Sequence, residues 1–184
     1  MTPWIIALVV VVVVALFAVT QYNKLIRLNN TVSEAFAQIE VQLRRRSDLI
    51  PNLVETVKGY ASHEKEALER VVAARAAATS AQGVHDVAAA DGSLTSALRG
   101  LLAVSEAYPD LKASANFSQL QEELAATENK VAFARQYYND AVRGLNITVQ
   151  GIPGKFFTGW AKVTEREFYE IDDPAAREVP KVTF

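Results

Sequence analysis

The first twenty residues contain an uninterrupted apolar run, from Trp4 to Val19, with no charged or polar side chain. A bilayer offers no water to the backbone, so a segment that crosses it must satisfy its own N–H and C=O groups as a helix. At ~1.5 Å per residue, Trp4 and Tyr22 would lie roughly 27 Å apart, close to the ~30 Å hydrocarbon thickness. Both aromatics are of the type enriched at membrane interfaces. We predict a transmembrane anchor over residues 1–22, with Trp4 and Tyr22 at its interfaces.

A cleaved signal peptide is the competing interpretation of this run. Signal peptides carry a basic n-region and a small-residue cleavage site. Here Met1, Thr2 and Pro3 supply no basic side chain, and the best cleavage candidate, Ala18-Val19-Thr20, is poor. The chain has no cysteine, which excludes lipoprotein attachment. We therefore expect a retained, single-pass anchor.

Basic residues follow the anchor rather than precede it. Lys24 and Arg27 lie close to its C-terminal end, and Arg44, Arg45 and Arg46 come further on. The positive-inside rule then places the C-terminal domain in the cytoplasm. The absence of cysteine is compatible with a reducing compartment.

Composition favours a helical domain after the anchor. About 160 residues remain, enough for one domain with its own core. The formal net charge is −2 at pH 7, so no basic field indicates a nucleic-acid partner. The chain has only eight glycines and six prolines, and alanine is abundant between Ala61 and Ala103. We predict an all-α fold, in which the transmembrane helix precedes an up-and-down bundle of three to four long helices over residues 23–152.

Alternating steps of four and three residues from Leu25 to Ala78 select a mainly apolar stripe, typical of a helix face that packs in a core. The positions are Leu25, Asn29, Val32, Phe36, Ile39, Leu43, Arg46, Ile50, Leu53, Val57, Tyr60, Glu64, Ala67, Val71, Ala74 and Ala78.

Pro51 interrupts this stripe. Proline in a helix interior costs ~3 kcal/mol or more, but it is tolerated in the first turn. Ser47 or Asp48 could cap a new helix that begins just before Pro51. The stripe keeps its phase across Pro51, as a kinked continuous helix would require, yet no later segment is long enough to cover such a helix. The balance favours two helices that break near Arg46–Asp48.

Glycines and proline punctuate the second half of the chain. Residues 79–92 read as a loop, and Ser93 can cap a short helix that ends before Pro109. Asn116 can cap a long helix with two heptad rows, which fits a bundle helix or an intermolecular coiled coil. One row is Phe117, Leu124, Val131, Tyr138, Leu145 and Ile152; the other is Leu120, Thr127, Ala134, Ala141 and Thr148.

The C-terminal tail, residues 153–184, is rich in aromatic side chains, including Phe156, Phe157 and Trp160. So many large apolar groups argue against disorder. The tail packs either on the bundle, closing its base and burying Trp160, or on the membrane surface, where Lys155 and Lys162 would suit the interface. We expect closure of the bundle.

Catalytic and cofactor motifs are largely absent. No phosphate-binding glycine loop is present, and neither His63 nor His85 follows a glutamate by three residues, as a di-iron bundle would require. Two polar clusters, residues 44–52 and 122–135, read as solvated helix faces. We predict no enzyme activity, no metal and no cofactor.

Arg46 and Glu64 are the exceptions, because both charges fall on the apolar stripe. A charge in a core must find a partner. We predict that Arg46 and Glu64 either pair across helices and fix helix register, which is a structural role, or mark where the stripe leaves the core.

Four segments resemble the LemA family of bacterial membrane proteins: RRSDLIPNLVETVKGYASHE (45–64), LLAVSEAYPD (101–110), QLQEELAATENKVAFARQYYNDAV (119–142) and AAREVPKVTF (175–184). Their order, their spacing and the short anchor also fit. Residues 151–155 (GIPGK) depart from a Phe-Pro-Ser-Asn stretch common in the family. The resemblance implies an N-terminal membrane helix and a helical bundle without assigned catalytic residues. Some relatives form or shape intracellular membranes, such as magnetosome vesicles.

The sequence thus predicts a non-catalytic, single-span protein of the bacterial inner membrane, with a cytoplasmic helical bundle that acts as a scaffold or assembly module. Its partners would be the lipid bilayer and either further copies of itself or other membrane proteins. The alternative is a protein that self-assembles on the bilayer and remodels it, for which the aromatic tail and the heptads are the supporting features.

Overall fold

The computed structural model describes residues 2–170, and every regular element among them is helical. The helices are α1 (Thr2–Tyr60), α2 (Lys65–Ser80), α3 (Gly83–Val104), α4 (Pro109–Lys112), α5 (Ala115–Gln150) and α6 (Thr158–Ala161), with 3₁₀ turns at Ser105–Ala107 and Gly154–Phe156. Helix α1 begins with a stretch that is long and apolar enough to cross a membrane. The predicted all-α fold with an N-terminal membrane helix is confirmed.

The described chain divides into two compact units. The first unit combines residues 2–38 of α1 with residues 135–168. Its buried side chains are Leu25, Val32 and Ala35 of α1, Tyr138, Val142 and Leu145 of α5, and Ala161 and Val163 after it. The Phe36 and Tyr138 rings lie 5.7 Å apart between centroids, so the sequence stripe on α1 meets the heptad row on α5 in this unit.

The second unit comprises residues 39–134 with residues 169 and 170. Its hydrophobic core draws on α1, α2, α3, α4 and α5. The buried members include Ile50, Leu53, Val57, Leu68, Val71, Leu94, Leu98, Leu101, Leu111, Phe117 and Leu124. These residues are spaced by three, four or seven along each long helix, as amphipathic helices around one core require.

Helix α1 continues through Pro51, so the expected break near Arg46–Asp48 is wrong. Proline removes the N–H that would bond the carbonyl four residues earlier, which belongs to Ser47. In the structure Arg75 of α2 donates from Nε to that Ser47 oxygen at 3.0 Å. The carbonyl left free by Pro51 therefore has a partner from another helix. The reversal comes later, where α1 ends at Tyr60.

The loop predicted over residues 79–92 is also wrong, because α3 already begins at Gly83. Residues 88–90 are alanines, which favour helix, and Asp91 is buried at 1% exposure inside α3 rather than in a turn. Ser93 is therefore not a cap; its hydroxyl bonds the Ala89 carbonyl within the helix at 3.0 Å. Leu94, Leu98 and Leu101 nevertheless share the buried face that their spacing predicts.

Helix α5 carries the predicted heptad row. It begins at Ala115, one residue before the proposed Asn116 cap. Phe117, Leu124, Val131, Tyr138 and Leu145 are all buried, whereas Ile152, beyond the end of the helix, is 80% exposed. The row therefore faces the cores of both units up to the point where α5 ends.

Candidate functional sites: the Arg46 cluster and the aromatic segment

Arg46 lies in α1 of the second unit and is only 4% exposed. Its Nη1 bonds two residues of α3, the Asp91 carboxylate at 3.1 Å and the Thr95 hydroxyl at 2.9 Å. Its Nη2 forms an ion pair with Glu128 Oε2 of α5 at 2.7 Å. One guanidinium thus joins three helices. We call Arg46, Asp91, Thr95, Glu128 and Tyr169 the Arg46 cluster.

Tyr169 completes this cluster from the C-terminal part of the chain. Its hydroxyl donates to the second carboxylate oxygen of Asp91 at 2.8 Å, and Tyr169 is 4% exposed. Both oxygens of a carboxylate that is 1% exposed are therefore hydrogen-bonded. Burial of a charge is tolerated only with such partners. The cluster therefore joins α1, α3 and α5 and holds Tyr169 beside them.

Glu64 lies elsewhere in the second unit, just before α2. Its half-buried carboxylate accepts a hydrogen bond from the Tyr108 hydroxyl at 3.1 Å. This bond to the carboxylate is the main factor that raises the pKa of the Tyr108 phenol. The structure therefore gives Arg46 and Glu64 separate partners and does not bring them together.

A cavity of about 280 Å³ borders the Arg46 cluster. Its wall includes Asp91 and Ser47 together with the basic side chains Arg44 and Arg75. Among residues 2–170, no group of three or more histidine, aspartate or glutamate side chains is arranged to hold a metal ion. The cavity is lined by side chains of both charges, with Glu40 and Asp48 in the same wall as the two arginines.

The second notable region is the aromatic segment, residues 151–163 of the first unit. A Cβ on Gly154 would collide with the backbone of Thr148, so glycine is needed for the chain to turn this closely around the end of α5. Helix α6 then ends with Lys162 in the left-handed conformation (φ 53°), and the Val163 N–H bonds the Thr158 carbonyl at 3.1 Å. The segment is a compact turn with defined hydrogen bonds.

The aromatic segment contacts the apolar part of α1. The Phe157 ring lies edge-on to Phe17, with 6.4 Å between centroids, and the Trp160 ring lies 5.3 Å from that of Tyr22. Other large side chains have little cover: Ile152, Phe156 and Trp160 are 80%, 76% and 63% exposed. The expectation that the tail buries Trp160 is therefore wrong. The Trp160 ring contacts Tyr22, but most of the Trp160 side chain stays exposed.

The chain that leaves the aromatic segment is clamped between α1 and α5. The Asn146 side chain exchanges two hydrogen bonds of 2.9 Å with the backbone of Arg166. The Arg166 guanidinium donates to Asn29 Oδ1 at 3.0 Å, which gives Asn29, a polar residue on the α1 stripe, a partner. The Tyr138 hydroxyl donates to the Glu167 carbonyl at 2.8 Å. These bonds fix the chain just after the C-terminal end of the segment.

The remaining predicted site residues are the two interface aromatics. Trp4 is 82% exposed near the start of α1, and Tyr22 is partly buried by Trp160. Their place at membrane interfaces stays a prediction. Residues 171–184, including the family-like ending, lie outside the described residues.

Sequence reasoning missed the partners of Arg46. Asp91 lies among residues that predict a loop, and Glu128 lies in a polar cluster that predicts a solvated helix face. One signal was available, because a charge on a core stripe requires an opposite charge on a facing helix. Only the tertiary fold decides which acidic residues supply that opposite charge.

Comparison with known proteins agrees with these features. A model of the LemA family matches residues 35–184. Protein LemA of Metamycoplasma hominis is 24% identical over 163 residues, which cover 87% of this chain and 71% of that protein. Magnetosome proteins MamQ 1 and MamQ 2 of Paramagnetospirillum magneticum are each 21% identical over 189 residues, covering 89% of this chain and 69% of theirs. With the apolar start of α1, these likenesses indicate a membrane-associated helical protein. Because the family model spans most of its length, the chain belongs to the LemA family.

Proposed function

We propose that this protein is a non-catalytic, single-span protein of the bacterial inner membrane whose cytoplasmic helical bundle serves as a scaffold or assembly module. The observation that carries the proposal is the continuity of α1. The apolar run and the first buried side chain, Leu25, lie on one uninterrupted helix in the first unit. A domain joined to its anchor by a helix is held close to the bilayer in a defined orientation, which suits a platform for assembly.

The orientation is tested by cysteine labelling, since the natural chain has no cysteine. Ser118 is exposed on α5, and Pro3 is exposed before the apolar run. With a membrane-impermeant maleimide added to spheroplasts, Pro3→Cys should react at once and Ser118→Cys only after permeabilisation. The reverse pattern would place the bundle outside the cytoplasm.

Retention of the anchor is tested by intact mass spectrometry of each protein, which should detect the N-terminal residues. A species that starts near Thr20 would identify a cleaved signal peptide instead.

The assembly role is tested by the state of the full-length protein in its own membrane. Blue-native electrophoresis after mild detergent extraction should show a discrete species larger than the 20.1 kDa chain with its detergent, made of several copies or of this chain with other membrane proteins. Light scattering of the purified protein distinguishes these two compositions. A monomer in both experiments would contradict the scaffold.

A second candidate function is membrane remodelling by self-assembly. It is favoured by the exposed side chains of the aromatic segment, because apolar wedges at an interface can change bilayer curvature. The two MamQ proteins are magnetosome proteins by name. Negative-stain images of vesicles that contain the full-length protein separate the two functions. Spherical vesicles support the scaffold, whereas tubes or constricted necks support remodelling.

A further inference from the structure

We propose that the aromatic segment is a second membrane-contact site, in which Ile152, Phe156 and Trp160 insert into the interfacial layer of the same bilayer that α1 crosses. The inference rests on the proposed role of α1 as a membrane span, and it adds a membrane-contact site near the other end of the chain, at residues 151–163. Its partner is a lipid surface.

The ring contacts set the depth of the segment. Phe17 belongs to the apolar run and Tyr22 follows its end, so Phe157 and Trp160 lie beside the last turns of the span. Five residues of helix separate Phe17 from Tyr22, about 7.5 Å of rise. The headgroup layer on each side of the hydrocarbon is roughly 5–8 Å thick. With Tyr22 at the edge of the hydrocarbon, Trp160 lies at that edge and Phe157 lies about 7.5 Å below it. The segment therefore lies at the boundary between the hydrocarbon and the headgroup layer.

The exposed side chains have the chemistry that this layer selects. Three large apolar groups are more than 60% exposed within nine residues of chain. Tryptophan is favoured at interfaces because its ring is apolar and its N–H is polar. Lys155 and Lys162 are exposed in the same segment, which contains no carboxylate. Two cations beside apolar wedges match an anionic lipid surface.

The segment is also held in place before it meets lipid. Gly154 permits the close turn on α5, and Asn146 and Asn29 bind Arg166 where the chain returns. A fixed turn loses little conformational freedom on insertion, which favours binding. A soluble partner would have to enter the headgroup layer to reach the same side chains, so the bilayer is the better match.

Tryptophan fluorescence of the full-length protein in vesicles tests the proposal, because the chain has only Trp4 and Trp160. The Trp4→Phe variant leaves Trp160 as the sole reporter, and the Trp160→Phe variant leaves Trp4 to report on the span. Both are placed in mixed phosphatidylcholine and phosphatidylglycerol vesicles with bromine at a shallow or a deep acyl position. We expect Trp160 emission to be blue-shifted, protected from acrylamide and quenched more by shallow than by deep bromine.

A matched control places the reporter on the same unit away from the membrane. Tyr137 is 49% exposed on α5 and lies thirteen residues before Gln150, about 20 Å along the helix. Tyr137→Trp in a chain that lacks both natural tryptophans should keep its emission in brominated vesicles. A Phe156→Ser change in the Trp160 reporter should reduce its quenching if the two side chains insert together.

The outcomes separate this site from the span. If Trp4 is quenched and Trp160 is not, the segment stays in water and the proposal is overturned while the anchor stands. If neither is quenched, the proposed span fails as well. If Trp160 is blue-shifted but escapes bromine until the protein is diluted to one copy per nanodisc, a second copy covers the segment and the lipid assignment is wrong.

Discussion

Removal of the Arg46 guanidinium is the most informative perturbation of the second unit. Arg46→Met keeps an apolar stem of similar length but deletes the bonds to Asp91, Thr95 and Glu128. Asp91, at 1% exposure, then loses its ion pair with Arg46. We expect a lower free energy of unfolding.

The magnitude follows from the burial of the two acids. Breaking a buried pair by removing one partner costs about 3–5 kcal/mol, because the charge that stays buried loses that partner. Glu128 is 37% exposed and can return to water, so Glu128→Gln should cost about 1 kcal/mol or less. In a domain of this size, each kcal/mol lowers Tm by about 2–4 °C, so Arg46→Met should lower it by about 6–20 °C.

Thermal unfolding of the full-length protein in mild detergent, followed by far-ultraviolet circular dichroism, measures these differences. The decisive variant is Arg46→Met combined with Asp91→Leu, which removes both charges. Replacing a buried pair with apolar groups is close to neutral, so the double variant should lie within about 2 kcal/mol of the natural protein. This cost includes the acceptor that Tyr169 loses.

Two results would refute this reasoning. A loss below about 1 kcal/mol in Arg46→Met would mean that the Asp91 carboxylate reaches water or another cation. A double variant less stable than Arg46→Met would mean that the Asp91 side chain stabilises the fold even without Arg46. The cost of Arg46→Met would then not come from the Asp91 charge.

Three further predictions concern the helices. Arg75→Met should cost about 1–3 kcal/mol of stability in the natural chain. The cost should be clearly less in a Pro51→Ala background, because the amide N–H of residue 51 can then bond the Ser47 carbonyl. Equal costs in a double-mutant cycle would contradict this compensation. Val131→Ala should cost about 2–5 kcal/mol, whereas Val41→Ala, at a side chain that is 62% exposed, should cost little, as measured by denaturant unfolding. Burial, and to a smaller extent Glu167, raises the pKa of Tyr138 against the opposing effect of Arg166. The neutral phenol should therefore stabilise the fold fully below pH ~10, and this contribution should be lost as the pH rises beyond that value. The Tyr138→Phe variant should lose stability less steeply above pH ~10.

Local sequence pattern was sufficient to predict structure wherever a segment follows a single periodicity. The run from Trp4 to Val19 requires a helix in a bilayer, and the row that includes Val131 and Leu145 is buried as its heptad spacing predicts. The charge of Arg46 on a core stripe also required a partner. These conclusions need no knowledge of distant residues, because the period of a helix and the cost of an unpaired charge are local properties.

Tertiary structure decided the points where a distant residue changes a local preference. Pro51 favours a break until Arg75, on the next helix, binds the carbonyl that proline leaves free. Asp91 and its neighbouring glycine read as a loop until Arg46 and Tyr169 make a buried carboxylate acceptable within α3. Trp160 could have closed a core or faced lipid, and its contact with Tyr22 leaves most of the ring exposed. In each case the decisive energy comes from a contact between segments far apart in the chain, which no local pattern encodes.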